Sequence, residues 1–447
     1  MGADQYDLVV VGGGISGASV LYALAKFSDV DRIALFEKES TIGAINTARE
    51  HNSQTLHFGD IETNYSLEKA RSVKAGAETL AGYLEATDPE RTMHDRRSKM
   101  VIAVGDQEVD RLERRYQERG FGDLYPKLEL IGRERIAELE PAVVEGRDPE
   151  VPLRALYTPD GYVVDYGETA RSLVEDAQTE PGVDVFTDTP VEGIVETASG
   201  YAVRTSSGTV TAEGVIVSAG SHSLQFAKRL GYGEEMTLLP IAGSFFLAED
   251  MLQGKVYTLQ MAKLPFAAVH GDAEVHDPSI TRFGPTAKPV PALERGTLST
   301  VSDFLDVFGF DYHALASYAT ILADRVLLPY VLRNLVYDLP EIGKRAFLPH
   351  VQKVVPTASV DDIERATGYG GVRPQIVNTA ARSLDMGEAK IEGDDVIFNI
   401  TPSPGASTCL KNARRDAQTA LTFLDGVYTF DAAGFDAATV DQFPRGD

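Results

Sequence analysis

A glycine-rich turn between two apolar runs constrains this chain more than any other stretch. Asp7-Leu8-Val9-Val10-Val11 is short, apolar and β-branched, and Gly12-Gly13-Gly14-Ile15-Ser16-Gly17 follows it directly, satisfying G-x-G-x-x-G. Ala18, Val20, Leu21, Leu24 and Ala25 then recur at the spacing of a buried helix face. A second β-type run, Arg32 to Phe36, ends at Glu37, twenty residues past Gly17. Strand, glycine turn, helix, strand and acid in that order form the fingerprint of a dinucleotide site. Gly12 is expected to permit the tight turn, Gly14 to let a pyrophosphate approach, and Gly17 to let the helix pack closely. Ser16 lies in the first turn of that helix, whose free N–H groups and positive dipole end favour phosphate. Glu37, with Lys38 beside it, is placed to meet the adenosine ribose. A carboxylate there disfavours a 2′-phosphate, so FAD or NAD is expected rather than NADP.

At 447 residues the chain exceeds what one core ordinarily serves, and more than one domain is expected. Residues 43–66 lack periodicity and are crowded with hydrogen-bonding side chains, as in a ligand-contacting loop. Leu67 to Leu84 regains helical spacing. A strand at Met100–Val104, a charged helix at Asp106–Arg119 and a short helix from Arg133 stopped by Pro141 follow. The turn Pro159-Asp160-Gly161 predicts a hairpin over Leu156–Tyr166, and a helix opens at Tyr166. Gly214 to Gly220 reads as a buried strand entering a small-residue turn, returning the chain to the nucleotide sheet. Gly243–Leu247, Val256–Gln260 and Phe266–His270 are strand-like and suggest a second sheet. Residues 298–346 read as helical, and Ile397–Ile400 leads through a loop ending at Ser407 into a closing helix. The expected fold class is therefore α/β. A Rossmann-like FAD-binding domain (1–95, 155–235 and 350–428) is interwoven with an α+β substrate domain carrying a mixed or antiparallel sheet (96–154 and 236–349). Residues 429–447 form a tail.

Composition excludes several function classes. With 67 acidic and 42 basic residues the formal net charge is −25, which argues against nucleic acid as a partner. The acidity is spread along the chain, as solubility or adaptation to high salt requires. An anionic substrate can still be bound where local arginines or histidines dominate a pocket. A single cysteine, Cys409, excludes an internal disulfide and any cysteine-rich metal centre, and no metal site is expected. No apolar run has the length of a membrane span, and no basic, apolar leader opens the chain, so a cytoplasmic protein is expected.

The stretch from Glu50 to His57, and its continuation Gly59-Asp60-Ile61-Glu62-Thr63-Asn64-Tyr65, resembles malate:quinone oxidoreductase, within the FAD-dependent D-amino-acid-oxidase-like superfamily. The resemblance continues through Met100–Asp106, Ile136–Ala142, Gly371-Val372-Arg373-Pro374-Gln375 and Ser403–Thr408, covering nearly the whole chain. L-2-hydroxyglutarate dehydrogenases and oxidases are similar in the His51-Asn52-Ser53 loop, at His57, in Leu264-Pro265-Phe266 to His270 and in Phe283-Gly284-Pro285. They usually carry glycine where this chain has Gln54. The resemblance implies tightly bound FAD and oxidation of (S)-malate to oxaloacetate. It further implies electron transfer to a membrane quinone and peripheral attachment to the inner face of the cell membrane. An L-2-hydroxyglutarate dehydrogenase or oxidase is the alternative activity; a flavin-binding protein without catalysis is the non-enzymatic one. Phe304, Leu305, Val307, Phe308 and Phe310, or 326–332, are candidates for a docking patch, with core packing the competing use.

Oxidising a 2-hydroxy acid requires a carboxylate clamp, a base for the hydroxyl proton and a hydride acceptor. Arg373 suits the clamp, because its fork pairs bidentately with a carboxylate and stays charged, and Gln375 can add a hydrogen bond. Histidine is the natural base near neutral pH. His270 is the first candidate; His57 is the second, with a role at the flavin or the second carboxylate as its alternative. His51, Asn52 and Ser53 are expected near the flavin. Gly405 and Ala406 are expected to bring backbone N–H groups to it, with Ser407 and Thr408 capping the last helix.

Overall fold

The first apolar run pairs on both sides. The computed structural model describes residues 5–260, 268–309, 312–325, 327–385, 388–401 and 404–444. In it Gln5–Val11 (β1) precedes the helix Ile15–Phe27 (α1) and the strand Ile33–Phe36 (β2). β1 lies between β2 and Gly208–Val217, parallel to both, as the returning strand requires. Val396–Ile400 extends this sheet in parallel beyond Gly208–Val217, and Val183–Phe186 does so beyond β2. Both faces of β1 are covered, so it is apolar at successive positions rather than alternately. Leu8 and Val10 join a core with Val20 and Leu24 of α1, Leu173 and Leu410. Val9 and Val11 face the opposite core, with Ile194, Val215 and Val396.

Two glycines close the turn by steric exclusion. Gly12 has φ +102°, and a Cβ there would lie 2.5 Å from the Ser218 carbonyl oxygen. A Cβ on Gly17 would lie 1.9 Å from the Gly12 carbonyl oxygen, so α1 packs directly on the turn that precedes it. The N-terminus of α1 therefore emerges beside Ser218, with Gly14 as its N-cap and the Ile15 N–H donating to Thr47 Oγ1 at 3.0 Å.

A second eight-stranded sheet runs in the order Glu364–Arg365, Phe246–Glu249, Ile280–Gly284, His270–Ala273, Lys255–Thr258, Lys99–Val104, Leu153–Thr158, Glu129–Gly132. Only Lys255–Thr258 and Lys99–Val104 pair in parallel among its neighbours, so it is a mixed, mostly antiparallel sheet. A four-stranded antiparallel sheet (Lys288–Pro289, Met236–Ala242, Val372–Asn378, Ser383–Asp385) sets Arg373 opposite Ile241. The helices Thr300–Phe308, Tyr312–Leu322, Leu327–Val336 and Ile342–Val354 account for the helical stretch.

Several expectations change in detail. Leu153–Thr158 and Tyr162–Val164 do not form a hairpin: the former enters the second sheet, while the latter pairs with His94–Arg96. Pro159-Asp160-Gly161 thus turns the chain from one sheet to another. Pro141 ends one helix and, at the first position of Pro141–Val144, also begins the next, where its missing N–H costs nothing. The charged helix stops at Tyr116 rather than Arg119. His270 opens a strand rather than ending one; residues 261–267, which include part of the expected Phe266–His270 strand, lie outside the described residues. Residues 364–365 and 372–378, expected with the nucleotide half, pair with strands of the other two sheets.

No single helix among the described residues is long and apolar enough to cross a membrane; Tyr312–Leu322 and Leu327–Val336 are bent by 82° at their junction. Phe304, Val307 and Phe308 are core residues, whereas Leu305, Leu328 and Leu332 are exposed; Phe310 and residue 326 lie outside the described set.

Gly17→Ala forces a methyl group into the Gly12 carbonyl. It is expected to lower the thermal midpoint by about 5 °C or more and to abolish retention of the nucleotide. A melting curve and a bound-cofactor spectrum like the wild type's would show that the turn relaxes freely.

Candidate active site

One cavity of about 470 Å³ gathers most of the expected residues. Gly12, Gly14, Ser16, Glu37, Lys38, His51, Asn52, Ser53, His57, Gly220, Arg373, Gly405, Ala406 and Ser407 all line it. Gly17 packs beneath the turn, and His270 and Gln375 are not on the wall.

At the nucleotide end, Glu37 Oε2 accepts the Gly13 N–H at 2.6 Å and Oε1 accepts the Glu39 N–H at 2.8 Å. Burial raises the Glu37 pKa against these two bonds. The carboxylate braces the turn and keeps further acceptor capacity on each oxygen for ribose hydroxyls. Lys38 is tied to Glu294 at 2.7 Å and Glu39 at 3.1 Å. The glycine cradle, the helix N-terminus behind it and the acid at the end of β2 together fit a dinucleotide diphosphate.

The irregular loop is internally tied. The Asn52 amide donates to the carbonyls of Asn46, Thr47 and Ala48, and its Oδ1 accepts the Gln54 N–H. The His51 ring lies 2.6 Å from the Ile45 carbonyl oxygen and 3.1 Å from that of Gly368. Both side chains build the loop, leaving the Ser53 hydroxyl without a hydrogen bond to any described residue. Ser407 does not cap a helix: its Oγ accepts the His57 backbone N–H at 2.9 Å. Thr408 Oγ1 donates to Glu388, lies 3.2 Å from the Gly405 carbonyl oxygen, and makes no cap bond.

Gln54 has φ +51° and is fully buried. Glycine is the residue that adopts this conformation most readily. Here three hydrogen bonds hold the side chain instead: Nε2 to the Arg49 carbonyl and to Glu274, and Oε1 from the Val275 N–H. Gln54 thereby fastens the cofactor loop to the second sheet.

At the other end, Arg373 is positioned by Asn46, which bonds both backbone groups of Val372 at 2.9 Å. A Cβ on Gly371 would lie 2.5 Å from Asn46 Oδ1, and one on Gly370 would lie 2.0 Å from the Gly243 carbonyl oxygen. The glycine pair thus lets the arginine strand approach. Burial lowers the Arg373 pKa, opposed only by the Tyr330 and Tyr257 phenols, and no described carboxylate pairs with its guanidinium. Arg282, by contrast, is fully buried and has Asp272 at 2.6 Å. Gln375, two residues along the same strand and hence on the same face as Arg373, is buried behind the wall.

The two candidate histidines differ in setting. His57 Nδ1 lies 2.5 Å from Glu62 Oε1, its ring borders the cavity, and Nε2 has no described partner. His270 is buried with its ring stacked 4.5 Å from that of Tyr257, and its Nε2 is 3.2 Å from Asp272 Oδ1. Burial lowers the His270 pKa in spite of Asp272. Asp272 is itself held well below the carboxylate range: burial opposes ionisation, but Arg282 and Lys255 outweigh it. Burial pushes Lys255 down to about 8, and its Nζ donates to the Ser53 carbonyl, Thr55 Oγ1 and Asp272.

Asn46, Glu62, Lys255, Asp272 and Arg282 were not singled out by sequence. Asn46 and Glu62 lie in the aperiodic loop, and nothing in an aperiodic segment marks which polar side chain is buried. Among the described residues no His, Cys, Asp and Glu cluster could hold a metal.

Comparisons with known proteins accord with this geometry. A family model described as FAD dependent oxidoreductase matches residues 7–409. A probable malate:quinone oxidoreductase of Campylobacter jejuni is 38% identical over 437 residues, covering 95% of this chain and 97% of the relative. The chain belongs to the malate:quinone oxidoreductase family. It is thus an FAD-dependent oxidoreductase, and FAD is its cofactor. A mitochondrial L-2-hydroxyglutarate dehydrogenase of Caenorhabditis elegans is 27% identical over 431 residues, covering 92% of each chain, and represents a related family. The fold is shared with L-α-glycerophosphate oxidase of Mycoplasma pneumoniae, solved with FAD bound, at a TM-score of 0.65 and 17% identity. That match covers 96% of this chain and 97% of the other.

Gln54→Ala is expected to cost about 2 kcal/mol or more, since it strands buried polar partners. Gln54→Gly should cost about 1 kcal/mol less, because glycine adopts positive φ without a Cβ penalty. Denaturant unfolding of the two variants checks this, and equal losses would exclude strain at position 54.

Proposed function

We propose that this chain oxidises (S)-malate to oxaloacetate and delivers the electrons to a quinone. The observation that carries the reading is Arg373, a half-buried arginine on the cavity wall whose guanidinium has no described counter-ion. A charge partly withdrawn from water gains from a partner, and a substrate carboxylate supplies one bidentately. FAD held in this cavity would supply the hydride acceptor and the route for electrons to the quinone.

Of the two histidines, His57 has the better base geometry. It borders the cavity with one ring nitrogen held by Glu62 and the other without a partner. In this reading Arg373 grips a carboxylate of the substrate and His57 Nε2 takes the hydroxyl proton. His270 and Gln375 support the wall behind them, and the buried His270 ring packs against Tyr257. L-2-hydroxyglutarate would use the same clamp and base, and one methylene is a small basis for discrimination.

A quinone acceptor calls for contact with a bilayer, and one face of the protein suits it. Along Leu327–Val336, Leu327, Val331 and Asn334 face inward, while Leu328 (41% exposed), Leu332 (55%) and Leu335 (47%) face outward. An ordinary surface helix is polar on its outer face. Between Tyr312 and Val336 the sequence carries only Asp324, Arg325 and Arg333 as formal charges, in a chain of net charge −25. We assign this hairpin as the peripheral membrane face.

The direct test is anaerobic reduction of the bound flavin by (S)-malate and by L-2-hydroxyglutarate, followed by reoxidation with a soluble quinone. Malate is expected to bleach the flavin quickly and quinone to restore it. Bleaching by hydroxyglutarate alone moves the substrate, and no bleaching by either sinks the reading. Arg373→Lys keeps a charge but loses the fork, and is expected to lower kcat/KM for malate by about 100-fold. For the membrane face, Leu328→Glu with Leu332→Glu should abolish co-sedimentation with phosphatidylcholine vesicles while malate still bleaches the flavin. Undiminished sedimentation would remove this hairpin from the membrane.

A further inference from the structure

We propose that Glu62 is the positioning residue of the base. In this role it fixes His57 as the Nδ1–H tautomer and stabilises the proton that Nε2 receives. The proposal rests on the assignment of His57 as base.

The turn that carries Glu62 is built to hold one geometry. Gly59 has φ +81°, and a Cβ there would lie 2.9 Å from the Tyr125 hydroxyl. That hydroxyl donates to the Phe58 carbonyl at 2.7 Å and lies 3.2 Å from the Ala70 carbonyl oxygen, pinning the turn to the helix Leu67–Thr87. Asp60 Oδ1 accepts the Ile61 N–H, and the Tyr65 N–H closes back on the Glu62 carbonyl. Ser407 anchors the other side of the histidine through its backbone N–H. Neither partner of the 2.5 Å contact is free to drift.

The electrostatics are equally specific. Glu62 is 2% exposed, and its Oε2 has no hydrogen-bond partner among the described residues. The adjacent buried lysine, Lys99, is committed to Asp60 at 2.8 Å. The ring of His57 is therefore the one described side chain that meets the Glu62 carboxylate directly. Burial works against ionising Glu62, but the hydrogen bond and charge of His57 prevail, with help from Lys99, and hold it below the usual range. Burial raises Asp60 despite Lys99. Lys69 and the phenols of Tyr65, Tyr125 and Tyr257 also lie within the field of Glu62.

An ionised carboxylate only accepts, so Nδ1 must carry the hydrogen and the lone pair of the neutral ring falls on Nε2. That nitrogen has no described partner. As the substrate O–H bond breaks, its electron pair goes into the new C=O bond. The proton forms an N–H bond at Nε2, and the α-hydrogen leaves with its electron pair for FAD. The resulting imidazolium faces a carboxylate that no other side chain neutralises directly.

Glu62→Gln preserves shape and an acceptor while removing the charge; Glu62→Ala removes both. The holoenzyme is labelled with ¹⁵N-histidine, and His57 is identified by the signal that His57→Asn lacks. At alkaline pH the wild-type ring is expected as the Nδ1–H tautomer, and Glu62→Ala as the Nε2–H tautomer. Flavin reduction by malate in Glu62→Gln is expected to slow by about 10- to 100-fold. KM should stay near the wild-type value, and the acid limb of the pH–rate profile should move to lower pH. Glu62→Asp should recover part of the rate. A merely structural Glu62 would shift thermal stability and leave tautomer and pH profile alone. An Nε2–H tautomer in the wild type, or a wild-type rate and profile in Glu62→Gln, overturns the proposal. If malate fails to reduce the wild type, the functional reading falls, while the tautomer measurement still decides on Glu62.

Discussion

The cavity depends on a buried charge cluster that faces the cofactor loop from the second sheet. Asp272 lies 2.6 Å from Arg282 and 3.2 Å from Lys255, and all three side chains are almost completely removed from water. The carboxylate allows two cations to stay buried, and the cations use their remaining donors on the loop. Lys255 reaches the Ser53 carbonyl and Thr55 Oγ1, while Arg282 reaches the Ser53 carbonyl from another side. The loop holds its course past the glycine turn because these donors, together with Gln54, supply its backbone with partners. His57 inherits its position from that anchoring.

Charge is distributed with a clear division between surface and interior. The protein is strongly acidic overall, yet the substrate end of its cavity presents an arginine with no described carboxylate beside it. The nearby acids are already engaged: Asp272 by Arg282 and Lys255, Asp60 by Lys99, and Glu62 by His57. On the proposed reading, a dianionic hydroxy acid entering this space would meet Arg373, which has no described counter-ion, and His57 backed by the Glu62 carboxylate. Specific recognition of an anion by an acidic protein follows from which interior charges are paired, not from the net sum.

The legible parts of the sequence were those governed by periodicity or steric exclusion. β1, α1 and β2 were readable because a buried strand and a buried helix impose spacing, and Gly12 and Gly17 because no other residue fits. Gly214–Gly220 was readable as a returning strand for the same reason. The hairpin over Leu156–Tyr166 misled because a turn signal fixes a change of direction and not the pairing partner; Tyr162–Val164 pairs with His94–Arg96 instead. His51 and Asn52 line the cavity as expected, but the hydrogen bonds of their side chains run within the loop and to the Gly368 carbonyl, which no local pattern reveals. Gln54 was noted only as a departure from glycine, and its φ of +51° shows why that position invites one.

By itself the sequence determined the dinucleotide half, the class of cofactor and the kinds of side chain available for clamp and base. Local spacing, excluded volume and the donor chemistry of each residue type are properties of short stretches, so they survive without coordinates. Tertiary structure alone decided which polar groups remain without partners. Glu62 stands five residues from His57 but reaches its ring only through the turn at Gly59, and Arg373 enters the cavity through Asn46, more than three hundred residues earlier in the chain. Whether a charged side chain is spent or available depends on what the rest of the chain brings within hydrogen-bond distance, and no local pattern encodes that.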